Sequence, residues 1–201
     1  VLLTGFNRRF SVFARKVFDA VKNRSNPMII NYRMNAGHIP LDHWVHTEEG
    51  GGRNRGEACH VYDLFTYLTG SRAAGVVARC IDPATGYYGR SDNFVTVVKF
   101  EDGSVATLTY TALGSSEYPK ERMEVFADGR VYFLDDYTRL TITGAKEKDV
   151  ETRAAEKGHR DELEAFARAV REGGEWPIPL WQQAQAMEIA FEVEGQIRSK
   201  R

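Results

Sequence analysis

Apolar residues recur at helical spacing near the start of the chain, around residue 60, and at 159–172 and 180–197. A repeat of about 3.6 residues places such residues on one face of a helix, which is the pattern of a helix packed on a core. The four stripes are Phe10, Phe13, Val17 and Ala20; Ala58, Val61, Phe65 and Leu68; Leu163, Phe166, Ala167 and Val170; and Ala186, Ala190, Val193 and Ile197. We expect each stripe to face the core.

The middle of the chain changes to a period of two, which is typical of strands. The predicted strands cover residues 28–35, 73–81, 93–100, 105–110, 122–127, 131–134 and 139–143. Asp-Gly pairs at 102–103 and 128–129 predict tight turns, and consecutive hairpins mean antiparallel pairing. Residues 1–6 resemble one more short strand, and residues 145–156 a charged surface loop. We predict one α+β domain over residues 1–201, with a large, mostly antiparallel open sheet backed by helices.

Composition narrows the class of protein. The chain has 201 residues, 42% hydrophobic and 27% charged, which is ordinary for a soluble globular domain. A net charge of -1 argues against a nucleic-acid or membrane surface, and no apolar run is long enough to span a bilayer. Cys59 and Cys80 lack the spacing of a metal site, and two isolated thiols favour the cytoplasm.

The strongest candidate for chemistry is the start of the helix around residue 60. Three glycines at 50–52 precede a stripe of Arg53, Glu57, His60 and Leu64 that borders the apolar face. This pattern places a titratable imidazole on a rigid element beside a loop that a small molecule can approach closely. A histidine at the edge of a core is more often structural than catalytic, so the pattern alone leaves both roles open.

Three segments resemble the C-terminal domain of the Gfo/Idh/MocA family of NAD(P)-dependent oxidoreductases. They are GFNRRFS at 5–11, NYRMNAGHIPLDHWVH at 31–46 and GGGRNRGEACHVYDLFTYLTG at 50–70. The resemblance implies a dihydrodipicolinate-reductase-like C-terminal fold and gives His60 a role in proton transfer at the substrate hydroxyl. Gly56 stands where the family has an aspartate, and Glu57 lies one residue out of place. We therefore name His60 and Glu57 as catalytic candidates.

The resemblance also implies parts that these residues do not contain. The family's N-terminal Rossmann domain binds NAD or NADP and supplies a catalytic lysine, and no strand–GxGxxG–helix unit occurs here. Residues 1–6 would then be the last strand of that cofactor domain, and Arg8 and Arg9 are candidates for contact with the cofactor. We expect little or no turnover from residues 1–201 alone. We also expect a homo-oligomer formed through the open sheet face.

The loop of residues 36–52 holds three histidines and three carboxylates. Their spacing matches no known zinc pattern, so we predict no metal site. We predict instead that the loop frames a pocket for a polyhydroxylated small molecule, because hydrogen-bonding groups and an aromatic ring suit such a ligand. The candidate substrate-binding residues are Tyr32, Arg33, Asn35, His43, Trp44 and Arg53. A structural role for Trp44 as a core plug stays open.

Two functions from different classes remain after this reasoning. The first is a nicotinamide-dependent oxidoreductase acting on a sugar, sugar-nucleotide or cyclitol hydroxyl, with His60 handling the hydroxyl proton. We expect an ordinary histidine pKa near 6.5 for this task, which Glu57 raises through its charge. The alternative is a non-catalytic binding or assembly module, which the Gly56 replacement supports. His159 and Trp176 are expected to be structural.

Overall fold

Eight strands pair into one open sheet in this computed structural model, which describes residues 1–198. In chain order the strands are β1 (Ile29–Asn35), β2 (Ala73–Cys80), β3 (Phe94–Phe100), β4 (Val105–Thr111), β5 (Glu121–Ala127), β6 (Arg130–Asp135), β7 (Arg139–Thr143) and β8 (Val150–Glu151). Their order across the sheet is β2-β3-β4-β1-β5-β6-β7-β8. The strands expected from the period-two pattern are therefore present, and β8 lies in a segment that was expected to be a loop.

The sheet is mixed, whereas the sequence suggested a mostly antiparallel one. At its centre β1 runs parallel to β4, with Ile29 opposite Val105, and every other strand pair in the described residues is antiparallel. The hairpin signals report only on strands that follow each other in the chain. They carry no information on β1, which is separated from its parallel partner by a helix and two strands and needs that long crossover to pair.

Helices cover one face of the sheet. They are α1 (Val12–Val21), α2 (Cys59–Thr69), α3 (His159–Glu172) and α4 (Leu180–Arg198), and one π-helical turn at Asn54–Ala58 leads into α2. The predicted apolar stripes of α2 and α4 are fully buried, and so is the face of β3 that carries Phe94, Thr96, Val98 and Phe100. The other face of the sheet carries exposed apolar residues, among them Ile29, Val77, Val95 and Phe126.

Two elements differ from the sequence expectation. Residues 1–6 form no strand; they are an irregular segment in which only Phe6 is fully buried. In α3 the predicted stripe faces outward, with Leu163 and Val170 exposed by 63% and 58%, while Glu162 and Ala169 face the protein. The helical period correctly predicted that α3 is a helix. The helix packs on the turn Asn7–Phe10, however, and the side that faces this turn is not the predicted apolar stripe. Among the described residues, no helix has the length and apolar character needed to cross a membrane.

Candidate functional site

A cavity of about 470 Å³ opens where the turn Asn7–Phe10, the start of α2 and the loop of residues 36–52 meet. A volume of this size suits a small-molecule ligand. The titratable and aromatic residues that line it are Arg8, Trp44, Arg53, Glu57, His60, Lys157 and His159. The cavity thus joins three residues of the stripe singled out at the helix start, Arg53, Glu57 and His60, with side chains from distant parts of the chain.

The glycine triplet shapes the loop that borders this cavity. A Cβ at Gly50 would lie 2.3 Å from the carbonyl oxygen of Trp44, so only glycine permits the loop to pack this closely. Gly51 and Gly52 have φ angles of 73° and 74°, in the left-handed region that favours glycine. The loop therefore folds back directly before the helix and leaves Trp44 on the cavity wall with 64% of its surface exposed, which is wrong for a core plug.

Gly56 is explained by the same close approach. A Cβ at this position would lie 3.0 Å from the carbonyl oxygen of Gly50, which is a very tight contact. A larger side chain at 56 would need the loop to move away from the helix. Glu57, the next residue in the π-helical turn, is the one that brings a carboxylate to the cavity.

His60 lines the cavity as a neutral imidazole. Burial is the largest cause that lowers its pKa, the charge of Arg8 is the next, and together they bring the pKa to about 4. Glu57 does raise the pKa as expected, but burial and Arg8 outweigh it, so the expected value near 6.5 was wrong. Phe6 packs edge-on against the ring at 5.6 Å, and Nδ1 is buried without a hydrogen-bond partner among the described residues.

Glu57 is held by three donors at the edge of the cavity. Lys120 Nζ donates to Oε1 at 2.7 Å, the hydroxyl of Tyr110 donates to Oε2, and Arg53 lies 3.4 Å from the same oxygen. Burial alone would raise the pKa of Glu57, but these partners lower it below its ordinary value. Glu57 is therefore an anion that orients Tyr110 and Arg53, and no hydrogen bond joins it to His60 in the described residues.

Arg8 belongs to a buried network behind the cavity. Its Nε and Nη2 donate to the two carboxylate oxygens of Glu121 at 2.7 and 3.1 Å. Lys157 Nζ and the hydroxyl of Tyr32 donate to the same carboxylate at 2.6 and 2.5 Å. Burial would raise the pKa of Glu121, yet Arg8 and Lys157 bring it to about 2, so the group stays ionised. Tyr32 is 2% exposed and lies in this network and not on the cavity wall.

Arg9 points elsewhere, although it follows Arg8 directly. Its Nε and Nη2 donate to the carboxylate of Asp63 at 2.9 and 2.5 Å, and Nη1 donates to Gln182 at 2.6 Å. The guanidinium also lies 5.0 Å from the centre of the Tyr67 ring. These contacts tie the turn Asn7–Phe10 to α2 and α4, which gives Arg9 a structural part and keeps it off the wall of the His60 cavity.

Three more of the candidate substrate-binding residues lie outside the cavity. Arg33 is on the opposite face of the sheet, where it donates to Pro119 O and covers the ring of Tyr118. Asn35 Nδ2 donates a hydrogen bond to the backbone carbonyl of Ser115 at 2.7 Å. His43 is exposed, and its Nδ1 accepts the backbone N–H of Val45, two residues along the chain. Of the six candidates, Trp44 and Arg53 line the cavity.

The sequence analysis missed several residues of the site. Lys157 lines the cavity from the segment before α3, and His159, the first residue of α3, lines it too although it was expected to be structural. Glu121 and Tyr110 act from behind the wall. Glu121 is 113 residues from its partner Arg8 in the sequence, and Tyr110 is 57 residues from its partner Arg53. Separations of that size leave no local pattern, so only the fold reveals them.

The glycine triplet does not form a site for the phosphates of a dinucleotide. The glycine triplet follows the loop of residues 36–52 and not a strand, and the N–H of Gly51 is already bonded to Thr47 O. The side chains of His60, Arg53 and Lys157 on the cavity wall give it hydrogen-bonding groups for a hydroxylated ligand. Within residues 1–198, no three His, Cys, Asp or Glu side chains converge as metal ligands would.

Comparisons with known proteins agree with this architecture. A family model described as the GFO/IDH/MocA C-terminal domain matches residues 28–132. The myo-inositol 2-dehydrogenase of Thermotoga maritima is 27% identical over 148 residues, covering 71% of this chain and 43% of that protein.

Solved structures show the same fold. The UDP-N-acetylglucosamine 3-dehydrogenase GnnA from Acidithiobacillus ferrooxidans has a TM-score of 0.77 at 19% identity, covering 98% of this chain and 63% of its own. An oxidoreductase domain protein from Kribbella flavida has a TM-score of 0.75 at 16% identity, covering 98% and 64%. The chain therefore spans less than half of the curated relative and less than two thirds of these structures.

Proposed function

This chain belongs to the Gfo/Idh/MocA family of oxidoreductases, and from that premise we propose that it forms the substrate-binding half of a nicotinamide-dependent dehydrogenase. The substrate is a small polyhydroxylated molecule, namely a sugar, a sugar nucleotide or a cyclitol, and the reaction takes place at one of its hydroxyl groups. The observation that carries the proposal is the neutral imidazole of His60 on the wall of a small-molecule cavity that Arg8 and Lys157 also line.

The chain's own residues divide the work at the hydroxyl. His60, being neutral, accepts the hydroxyl proton as the alcohol becomes a carbonyl. Arg8, fixed by Glu121, places a positive charge near His60 that keeps the imidazole neutral. Glu57 orients Arg53 and Tyr110 on the neighbouring wall, and Trp44 offers an aromatic face to a sugar ring.

The cofactor and the assembly belong to the whole protein. NAD or NADP accepts the hydride when bound, and its binding domain lies outside these residues, so the fragment alone turns over little or no substrate. The exposed apolar residues on the outer sheet face support a homo-oligomer formed through that face. Its two cysteines are free and its net charge is -1, and on these grounds the protein is proposed to work in the cytoplasm.

A non-catalytic ligand-binding or assembly module is the second candidate. Gly56 favours it, because the position that carries a carboxylate in the family pattern has none here and the Gly50 carbonyl crowds it. In that function the cavity binds the same ligands but His60 moves no proton.

One experiment separates the two. The full-length protein is incubated with NAD or NADP and with myo-inositol, D-glucose or UDP-N-acetylglucosamine, and formation of the reduced nicotinamide is followed by absorbance. We expect turnover, and a fall in kcat of about 10²–10⁴-fold in His60→Asn. His43→Asn is the matched control, since His43 is an exposed histidine of the loop outside the cavity. Unchanged turnover in His60→Asn removes His60 from the chemistry, and ligand binding without any turnover supports the second candidate.

A further inference from the structure

One side of the cavity carries an unbalanced positive charge. Arg8 and Lys157 both line the cavity, and both are bonded to the single carboxylate of Glu121 behind it. Two cations on one anion leave one positive charge. The phenols of Tyr32 and Tyr137 in the same network stay neutral, because burial raises the pKa of each well above its ordinary value.

The guanidinium of Arg8 is fixed, yet one of its nitrogens is free. Nε and Nη2 are engaged by Glu121, and the side chain as a whole is only 7% exposed. Nη1 has no partner in the described part of the chain, and it is absent from the set of polar atoms enclosed without one, so it opens onto the cavity. A charged donor held in place by its other nitrogens binds an anion at little entropic cost.

Lys157 adds a second set of donors at the same place. Its Nζ gives one N–H to Glu121 at 2.6 Å and stays 23% exposed, which leaves two N–H groups for a ligand. His159, two residues along the chain, lies on the same wall. Glu156, the residue before Lys157, is turned away, because its carboxylate accepts the backbone N–H groups of Val12 and Gly158.

Arg53 is a further cation on the cavity wall, but its carboxylate partner lines the cavity as well. Glu57 lies 3.4 Å from Arg53 and also accepts from Lys120 at 2.7 Å. At Arg8 and Lys157 the arrangement is reversed, because both cations line the cavity and their shared carboxylate, Glu121, does not. An anion in the cavity therefore meets Arg8 and Lys157 without a carboxylate between them.

We propose that the cavity binds a polyhydroxylated acid, with its carboxylate held between Arg8 Nη1 and Lys157 Nζ and a ring hydroxyl presented to His60. The excess of one charge matches a carboxylate better than a phosphate monoester, which carries about -1.5 to -2 at neutral pH. The substrate class is that of a sugar acid, in which the hydroxyl and the carboxylate belong to one ring. This inference rests on the proposed function for the identity of the reacting group, but the charge preference can be measured without turnover.

The test compares ligands that share a ring and differ at one carbon. Binding of D-glucuronate, D-glucose and D-glucose 6-phosphate to the full-length protein is measured by calorimetry. We expect glucuronate to bind at least about tenfold more tightly than glucose, as a charge-assisted hydrogen bond would give. Lys157→Gln should remove most of that preference, and Lys157→Arg should restore it. Lys22→Gln is the matched control, because Lys22 pairs with Asp19 on the exposed surface.

Each outcome decides one of the two statements. Equal affinity for glucuronate and glucose overturns the inference, as does tighter binding of the phosphate or an unchanged preference in a folded Lys157→Gln protein. Reduction of the nicotinamide with neutral sugars but without preference for the acid overturns the inference and leaves the proposed function intact. Preference for glucuronate with no nicotinamide reduction supports the inference and overturns the proposed function.

Discussion

Arg8 and His60 lie on the same wall of the cavity, and after burial the charge of Arg8 is the largest cause of the low pKa of His60. Glu121 fixes that charge in place through two hydrogen bonds. The pairing keeps the imidazole neutral over the physiological pH range while a cation stands beside it. The same charge opposes protonation of the ring, so His60 is present as an acceptor at neutral pH but is a weaker base than an ordinary histidine.

The low pKa of His60 predicts a pH-dependent stability. The folded pKa, about 4, is below the unfolded value near 6.5, so the folded state binds fewer protons between these values. The contribution of His60 is complete above pH 6.5 and is lost as the pH falls toward 4. We expect the free energy of unfolding of the wild type to fall by up to about 3 kcal/mol relative to His60→Asn over that window.

Urea denaturation of both proteins at several pH values gives the difference directly, and other titrating groups cancel in it. An NMR titration of the His60 ring supplies an independent reading of the midpoint. A constant difference between the two proteins, or a midpoint near 6.5, would contradict the electrostatic environment described for this ring.

Glu121 is predicted to hold the wall of the cavity together. Glu121→Gln removes the only carboxylate that Arg8 and Lys157 share in the described residues and leaves a buried guanidinium uncompensated. We expect a loss of about 3–5 kcal/mol in the free energy of unfolding, which is the usual effect of breaking a buried ion pair. Glu124→Gln, on the outward side of the same strand, is the control and should change stability by less than about 0.5 kcal/mol. Similar values for the two variants would show that the network contributes little.

The outward face of α3 gives a further prediction. Leu163 is 63% exposed, so Leu163→Ala should cost less than about 0.5 kcal/mol. Leu68 lies on the buried stripe of α2, so Leu68→Ala is the same substitution made in the core. It should lower the free energy of unfolding by about 2–5 kcal/mol. Thermal or urea unfolding of the chain distinguishes them. A large cost at Leu163 would mean that α3 packs through the stripe that the sequence suggested.

Cofactor binding tests whether residues 1–201 bind the nicotinamide dinucleotide by themselves. NADH and NADPH fluorescence should change on titration with the full-length protein and should stay constant with residues 1–201. The reason is that the glycine triplet follows a loop and its Gly51 N–H is already bonded, so no dinucleotide cradle is formed there. Binding to residues 1–201 would place a cofactor site within this chain, and binding to neither would remove the dehydrogenase in its simple form.

Local patterns in the sequence predicted most of the secondary structure. Strand β7 and helix α3 have the bounds that their patterns indicate, and the buried stripes of α2 and α4 follow from the helical period. The helical period shows that a helix has an apolar stripe but not which element the stripe packs on. For this reason the stripe of α3 was predicted to face the core, whereas it faces solvent. The parallel pairing of β1 with β4 has no local signal either.

The site was predictable only along single elements. His60, Glu57 and Arg53 were found together because one helix start carries them, and all three line the cavity. Tyr32 and Arg33 could not both face a pocket, since adjacent residues of a strand point to opposite sides of the sheet, and the sequence analysis did not apply that rule. Lys157 and Glu121 come from distant parts of the chain, and nothing in their neighbours marks them.

The position of β1 has a consequence for synthesis. On the ribosome β1 is made early, but its partners at Val105 and Phe126 lie in the second half of the chain. The hairpins of β2, β3 and β4 can form from neighbouring residues first, and β1 must wait for the larger loop to close. Glu121, at the start of β5, arrives with that closure. The wall that carries Arg8 is therefore completed only after β1 has paired on both sides and Lys157 has been made, so a nascent chain holds no complete ligand cavity before that point.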